Sequence, residues 1–120
     1  METVTERPNI VRDKSFGFAL KIIELSKSLK KDNNYEIASQ ILRSGTSIGA
    51  NVEEAQAAQS KKDFVSKLSI SSKEARETKY WLRLIKESKI TNKEVDGLMK
   101  ECDELINILT KIVKTSSQKI

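Results

Sequence analysis

Apolar residues recur along this chain at steps of three and four, the spacing of one face of an α-helix, and they do so in four separate runs. In the first, Phe18, Ile22, Leu25 and Leu29 form a stripe with Phe16, Ala19 and Ile23 beside it, which predicts a helix over 13–30 after a polar lead containing Pro8. Lys31-Asp32-Asn33-Asn34 then breaks the pattern with residues that favour turns. Ile37, Ile41, Ile48, Val52 and Ala55, with Leu42 alongside, predict a second helix over 35–58. Ser60 and Asp63 have the spacing of a capping box, and Phe64, Leu68, Ser71, Ala75, Thr78, Leu82 and Ile85 follow by alternate fours and threes, predicting a third helix over 61–88. Thr91 and Glu94 repeat the capping spacing. Val95, Leu98, Cys102, Leu105, Leu109 and Ile112, flanked by Met99, Ile106 and Val113, then predict a fourth helix over 92–115, with 116–120 as a flexible polar tail.

Helices joined by short connections alternate in direction, so the expected fold class is all-α, an antiparallel up-down-up-down four-helix bundle forming one domain over 1–120. Composition changes that picture in one respect. Apolar residues make up 38% of the 120, below the roughly 45–50% usual for globular chains even with the glycines added. The core of a lone protomer would be thin, which points to burial against further copies.

Candidate chemistry is sparse. Histidine is absent, which removes His–metal sites, Ser–His and Cys–His nucleophile pairs and the Glu-x-x-His ligation of di-iron bundles. Cys102, the single cysteine, can form no internal disulfide, and its place in the fourth seam reads as a small buried apolar residue. Glu53 and Glu54 are adjacent and point about 100° apart on a helix, which suits no acid–base pair. No enzyme activity, metal or cofactor is expected. No run approaches the ~20 apolar residues of a membrane span, and Met1 leads into Glu-Thr-Val-Thr-Glu-Arg with no signal-peptide pattern. The expectation is a soluble, cytoplasmic protein without membrane contact.

The least ordinary stretch is RSGTSIGANVEEAQ, Arg43 to Gln56. Each mid-helix glycine costs ~1 kcal/mol relative to alanine, so Gly45 and Gly49, with Ser47 and Asn51 nearby, read as a low-relief surface for close helix packing. A phosphate-cradling loop is the rival reading, but no Gly-Lys-Ser/Thr ending and no preceding strand support it. Gln40, Ser44, Ser47, Asn51 and Glu54 form a polar row on the same helix, either a solvated face or a hydrogen-bonded interface network.

The net charge of +5 is concentrated in one place. Residues 61–89 hold nine Lys/Arg against four Asp/Glu. Arg76, Lys79, Arg83 and Lys86 step by three, four and three along one face, with Lys73 just before them. Such a stripe is either a solvated face, with Glu74, Glu77 and Glu87 interleaved, or a surface for nucleic-acid phosphates, which a ring of copies would multiply. Tyr80 and Trp81 sit beside it, and Trp81 next to Leu82, Leu84 and Ile85 reads as a core or interface anchor in preference to a base-stacking platform.

RSGTSIGANVEEAQ and DFVSKLSISSKEARETKYWL, Asp63 to Leu82, resemble the bacterial four-helix-bundle family first described from proteins encoded in intervening sequences of 23S rRNA genes. Ser15-Phe-Gly-Phe-Ala-Leu and Gln40-Ile-Leu-Arg extend the resemblance over nearly the whole chain, while Ser71 and Ser72 stand where relatives often carry alanine and an apolar residue. The resemblance implies a homopentameric, barrel-like ring. The family is in turn similar to the accessory variability protein of diversity-generating retroelements, which binds nucleic acid and a reverse transcriptase. Two functions follow as expectations. One is a non-enzymatic oligomeric scaffold binding structured RNA or DNA through the stripe. The other is a protein-interaction adaptor holding a partner enzyme such as a reverse transcriptase, without direct nucleic-acid contact.

Overall fold

The computed structural model describes residues 6–118. Four helices follow one another, α1 (Glu6–Lys31), α2 (Tyr35–Gln56), α3 (Lys61–Ser88) and α4 (Asp96–Ser117), and no strand occurs among the described residues. Each helix packs against the next, α4 returns against α1 to close the bundle, and α1 does not touch α3. The result is an antiparallel four-helix bundle, elongated to 46 × 26 × 19 Å. The start of α1, the α2–α3 turn and the end of α4 share one end of it. At the other end Asn33 and Lys89 take left-handed conformations (φ 67° and 56°), and Asn34 Nδ2 donates to the Ile90 carbonyl at 3.3 Å, tying the two turns together.

Five helix boundaries depart from the sequence expectation, both ends of α1 and α4 and the end of α2. The first helix begins at Glu6 and not at 13, because Pro8 falls in the first turn, where its missing N–H is one of four donors with no intrahelical partner anyway. The extension brings Val11 into the core. The fourth helix begins at Asp96 and not at 92. Thr91 Oγ1 accepts from the Lys93 N–H at 3.1 Å and Glu94 Oε1 from the Asp96 N–H at 2.8 Å, so these side chains close short turns of their own and form no reciprocal capping box. The second helix stops at Gln56, two residues short. The α3 start is as expected, with Ser60 Oγ accepting from the Asp63 N–H at 3.0 Å. Of the expected tail, Ser116 and Ser117 continue α4 and Ser116 is buried, while 119–120 lie outside the described residues.

The predicted stripes converge on one core. Phe18, Ile22 and Leu29 of α1, Ile41 and Ile48 of α2, Leu68 and Leu82 of α3, and Leu105 and Leu109 of α4 are fully buried, each worth ~1.5–3 kcal/mol of transfer free energy. The hydroxylated seam positions are paired. Ser71 Oγ donates to the Ile48 carbonyl at 2.8 Å, Thr78 Oγ1 bonds Ser44 Oγ at 3.0 Å, and Ser26 Oγ donates to the Ala38 carbonyl at 3.0 Å. Pairing removes the penalty that an unsatisfied buried hydroxyl carries.

Cys102 lies fully buried in this seam, its thiol directed at the Ala75 carbonyl at 3.1 Å. Burial pushes the thiol pKa up to about 12, with the charge of Asp103 adding to the shift. The thiolate is the reactive form, so at pH 8 Cys102 is expected to react with an aromatic disulfide such as DTNB only through unfolding. The rate should rise by roughly three orders of magnitude or more in 6 M guanidinium, where the thiol recovers its ordinary pKa. Rapid modification of the native protein would contradict the buried placement.

Candidate nucleic-acid interface

The stripe expected on the third helix runs along the seam between α3 and α4, and the partners offered by α4 divide it. An open groove of about 610 Å³ is lined by Arg76, Lys79 and Arg83 of α3 and by Asp103, Ile106, Asn107 and Thr110 of α4. Arg76 Nη2 donates to Thr110 Oγ1 at 3.2 Å, and Lys79 Nζ meets Asp103 Oδ1 at 2.7 Å. Among the described residues no carboxylate lies within ion-pairing distance of Arg76 or Arg83. The groove therefore carries two uncompensated guanidiniums either side of one neutralised lysine, with the side chains of Asn107 and Thr110 able to hydrogen-bond a phosphate.

The other two members of the stripe lie elsewhere. Lys73 is exposed outside the groove. Lys86 pairs with Asp96 at the first turn of α4, Nζ to Oδ1 at 2.7 Å. The hydrogen bond from Lys86 lowers the Asp96 pKa, and the same bond raises that of Lys86. Because the folded-state pKa of Asp96 lies below that of the unfolded chain, its contribution is complete above the ordinary carboxylate range and disappears as pH falls through the lowered value. An NMR titration of the Asp96 side-chain carbon should show a midpoint below that of a free aspartate, and Lys86→Met should return it to the ordinary range. No difference between the two proteins would remove the pair.

The packing candidates separate as well. A Cβ on Gly45 would stand 2.7 Å from Ile22 Cγ2 and 2.9 Å from Cγ1, whereas a Cβ on Gly49 would make ordinary contact with Ser15 at 3.4 Å. The glycine pair thus packs α2 on α1 within one protomer, and only Gly45 is sterically required. The polar row of α2 is not one network. Ser44 is buried with Thr78, Ser47 Oγ donates to the Arg43 carbonyl at 2.7 Å, and Asn51 Nδ2 donates to the Ser47 carbonyl at 2.9 Å. Gln40 and Glu54 are exposed.

Trp81 is half-buried, and its Nε1 donates to Glu77 Oε2 at 3.0 Å. Glu77 also pairs with Arg43 of α2, which reaches Glu74 at 3.1 Å, so Trp81 anchors the α2–α3 flank. Its neighbour Tyr80 packs edge-on against it, ring centroids 5.3 Å apart, and is 52% exposed. That exposure is invisible to periodicity, which distinguishes faces of a helix but not which neighbours cover them. Among the described residues no three His, Cys, Asp or Glu side chains come together as metal ligands, and no helix is long and apolar enough to cross a membrane.

Fold and groove together define a small antiparallel helical bundle with a cationic interhelical cleft. The family model of the 23S rRNA-intervening sequence protein matches residues 7–111, and the chain belongs to that family. It is similar to a crystal structure of a protein with unknown function from the S23 ribosomal protein family of Bacteroides thetaiotaomicron VPI-5482, at 44% sequence identity and a TM-score of 0.84, covering 90% of this chain and 98% of that one. No curated protein matches the sequence.

Proposed function

We infer that the protein is a non-enzymatic, self-associating helical scaffold that binds structured RNA or DNA along the α3–α4 groove. One observation carries the reading, the convergence of Arg76, Lys79 and Arg83 on a single open cleft in which both guanidiniums lack a carboxylate among the described residues. A guanidinium presents a planar fork of donors matched to phosphate oxygens, and a cleft concentrates the field of cations along its walls. The family resemblance supports assembly into a ring of five copies, which would repeat the groove around one particle.

Fluorescence-anisotropy titrations with rRNA fragments and duplex DNA test the reading. Affinity is expected to fall steeply between 50 and 200 mM salt, because each phosphate neutralised releases condensed counterions. Absence of binding at 50 mM salt overturns it. A partner protein retained after nuclease treatment would instead indicate an adaptor.

A further inference from the structure

Two aromatic rings stand next to each other on α3 and are held very differently. Trp81 is half-buried on the α2 flank, its N–H taken by Glu77, which Arg43 of α2 holds in turn. Tyr80 packs edge-on against that fixed indole and still leaves 52% of its surface open. A ring braced by a neighbour and otherwise bare is a platform whose orientation is already set. Adjacent aromatics look interchangeable along the chain, but the bonded N–H commits Trp81 to the flank and leaves only Tyr80 facing outward.

The nearest charged neighbours of Tyr80 on its own helical face are cations. Arg76 stands four residues before it and Arg83 three after, spacings that bring side chains together on a helix surface. Lys73 continues that face by another turn, and Glu87, exposed seven residues beyond Tyr80, ends it. Glu74 and Glu77 belong to the other flank, where Arg43 pairs with both, and Asp103 across the groove is paired with Lys79. Tyr80 therefore stands beside the groove, between the two guanidiniums that lack a carboxylate among the described residues. A duplex could bring phosphates to the same arginines, but it shows base edges in its grooves and keeps base faces stacked inside. An unpaired strand offers phosphates to the guanidiniums and a base face to the tyrosine together.

We propose that Tyr80 is a base-stacking platform and that the site takes single-stranded nucleic acid, with phosphates on Arg76 and Arg83 and a base laid on the tyrosine ring. The assignment rests on the nucleic-acid reading of the groove and narrows it, within structured RNA or DNA, to unpaired loops and ends. About 10 Å of helix axis separates Arg76 from Arg83, so these two long side chains bracket the nucleotide whose base is stacked. Every base has a π-face, and phosphates are common to RNA and DNA. The site is therefore indifferent both to base sequence and to the sugar.

The test is fluorescence anisotropy on the full chain with a labelled single strand in RNA and DNA form, a long DNA duplex, and an abasic DNA strand that keeps every phosphate but carries no bases. The RNA and DNA strands are expected to bind alike, and at least about 5-fold more tightly than the abasic strand, the smaller end of what one stacked base contributes. Tyr80→Ala should remove that advantage while leaving affinity for the abasic strand and the duplex unchanged, and Tyr80→Phe should keep it, because the ring and not the hydroxyl stacks. No binding of any nucleic acid overturns the functional reading itself. If the single strands bind, the stacking assignment alone is overturned when the abasic strand binds equally well to the unmodified chain, or when Tyr80→Ala weakens all four ligands by the same factor. A strong preference for RNA overturns the indifference to sugar. Light scattering should find Tyr80→Ala unchanged in size, whereas an altered size would place the ring at a contact between copies and overturn the platform. Should circular dichroism show Tyr80→Ala unfolded, the comparison of base-bearing and abasic strands on the unmodified chain decides the matter without it.

Discussion

Gly45→Val is expected to destabilise the bundle by about 3 kcal/mol, and Gly45→Ala by about 1 kcal/mol, in urea unfolding followed at 222 nm. Extra atoms in a packed interior cost ~1–3 kcal/mol, and a Cβ at 45 would meet Ile22, which is fully buried and branched at the same carbon. Its stiff side chain has no free rotamer to give way. Alanine recovers ~1 kcal/mol through helix propensity, while valine recovers less and adds two methyl groups. Gly49→Ala is the internal contrast. Its Cβ meets Ser15 at ordinary contact distance, so the propensity gain should survive and stabilise the protein by up to ~1 kcal/mol. In an Ile22→Ala background the cost of Gly45→Ala should shrink, a coupling that a double-mutant cycle reads directly. Equal responses at the two glycines would show that the α1–α2 contact does not depend on Gly45.

Arg76→Gln combined with Arg83→Gln should cut affinity for RNA or DNA roughly 60-fold at 0.1 M salt. Each phosphate contact contributes a log–log salt slope of about −0.9, hence about 0.9 decades at 0.1 M. Loss of two contacts also flattens the slope by about 1.8. Lys86→Gln, which removes a charge already paired with Asp96, should change affinity much less. Helical content should be unaltered, since both arginines are exposed. If Lys73→Gln, outside the groove, weakens binding as much as Arg76→Gln does, net charge and not the cleft governs the interaction.

Helix number, order and buried seams were legible in the sequence because a period between 3.5 and 3.6 with turn-forming breaks admits one reading, and Leu68, Ser71, Ala75, Thr78, Leu82 and Ile85 are all buried as their spacing requires. Properties that depend on the opposite helix were not legible. Gly45 and Gly49 look equivalent along the chain and differ only because Ile22 and Ser15 stand across from them. The cationic stripe is continuous in sequence, but Asp103 and Asp96 of α4 neutralise Lys79 and Lys86 and leave the arginines. Ser44 left its polar row for the core because Thr78 of α3 arrives there with a hydroxyl. The capping spacing at Thr91 and Glu94 failed because both side chains found nearer N–H groups. Phe16 looked like a flank of the buried stripe, yet among the described residues it is the most exposed of the large apolar side chains.

An even number of alternating helices brings the first turn of α1 and the last turn of α4 to the same end of the bundle. In the proposed ring, if the bundles stand parallel to its symmetry axis, every such pair would emerge on a single rim. A reporter or cargo domain genetically joined at either position would be displayed as a crown on that rim, leaving the opposite rim, with its Asn34–Ile90 tie, unencumbered. Two copies could likewise be joined in tandem by a linker that never crosses the length of the bundle.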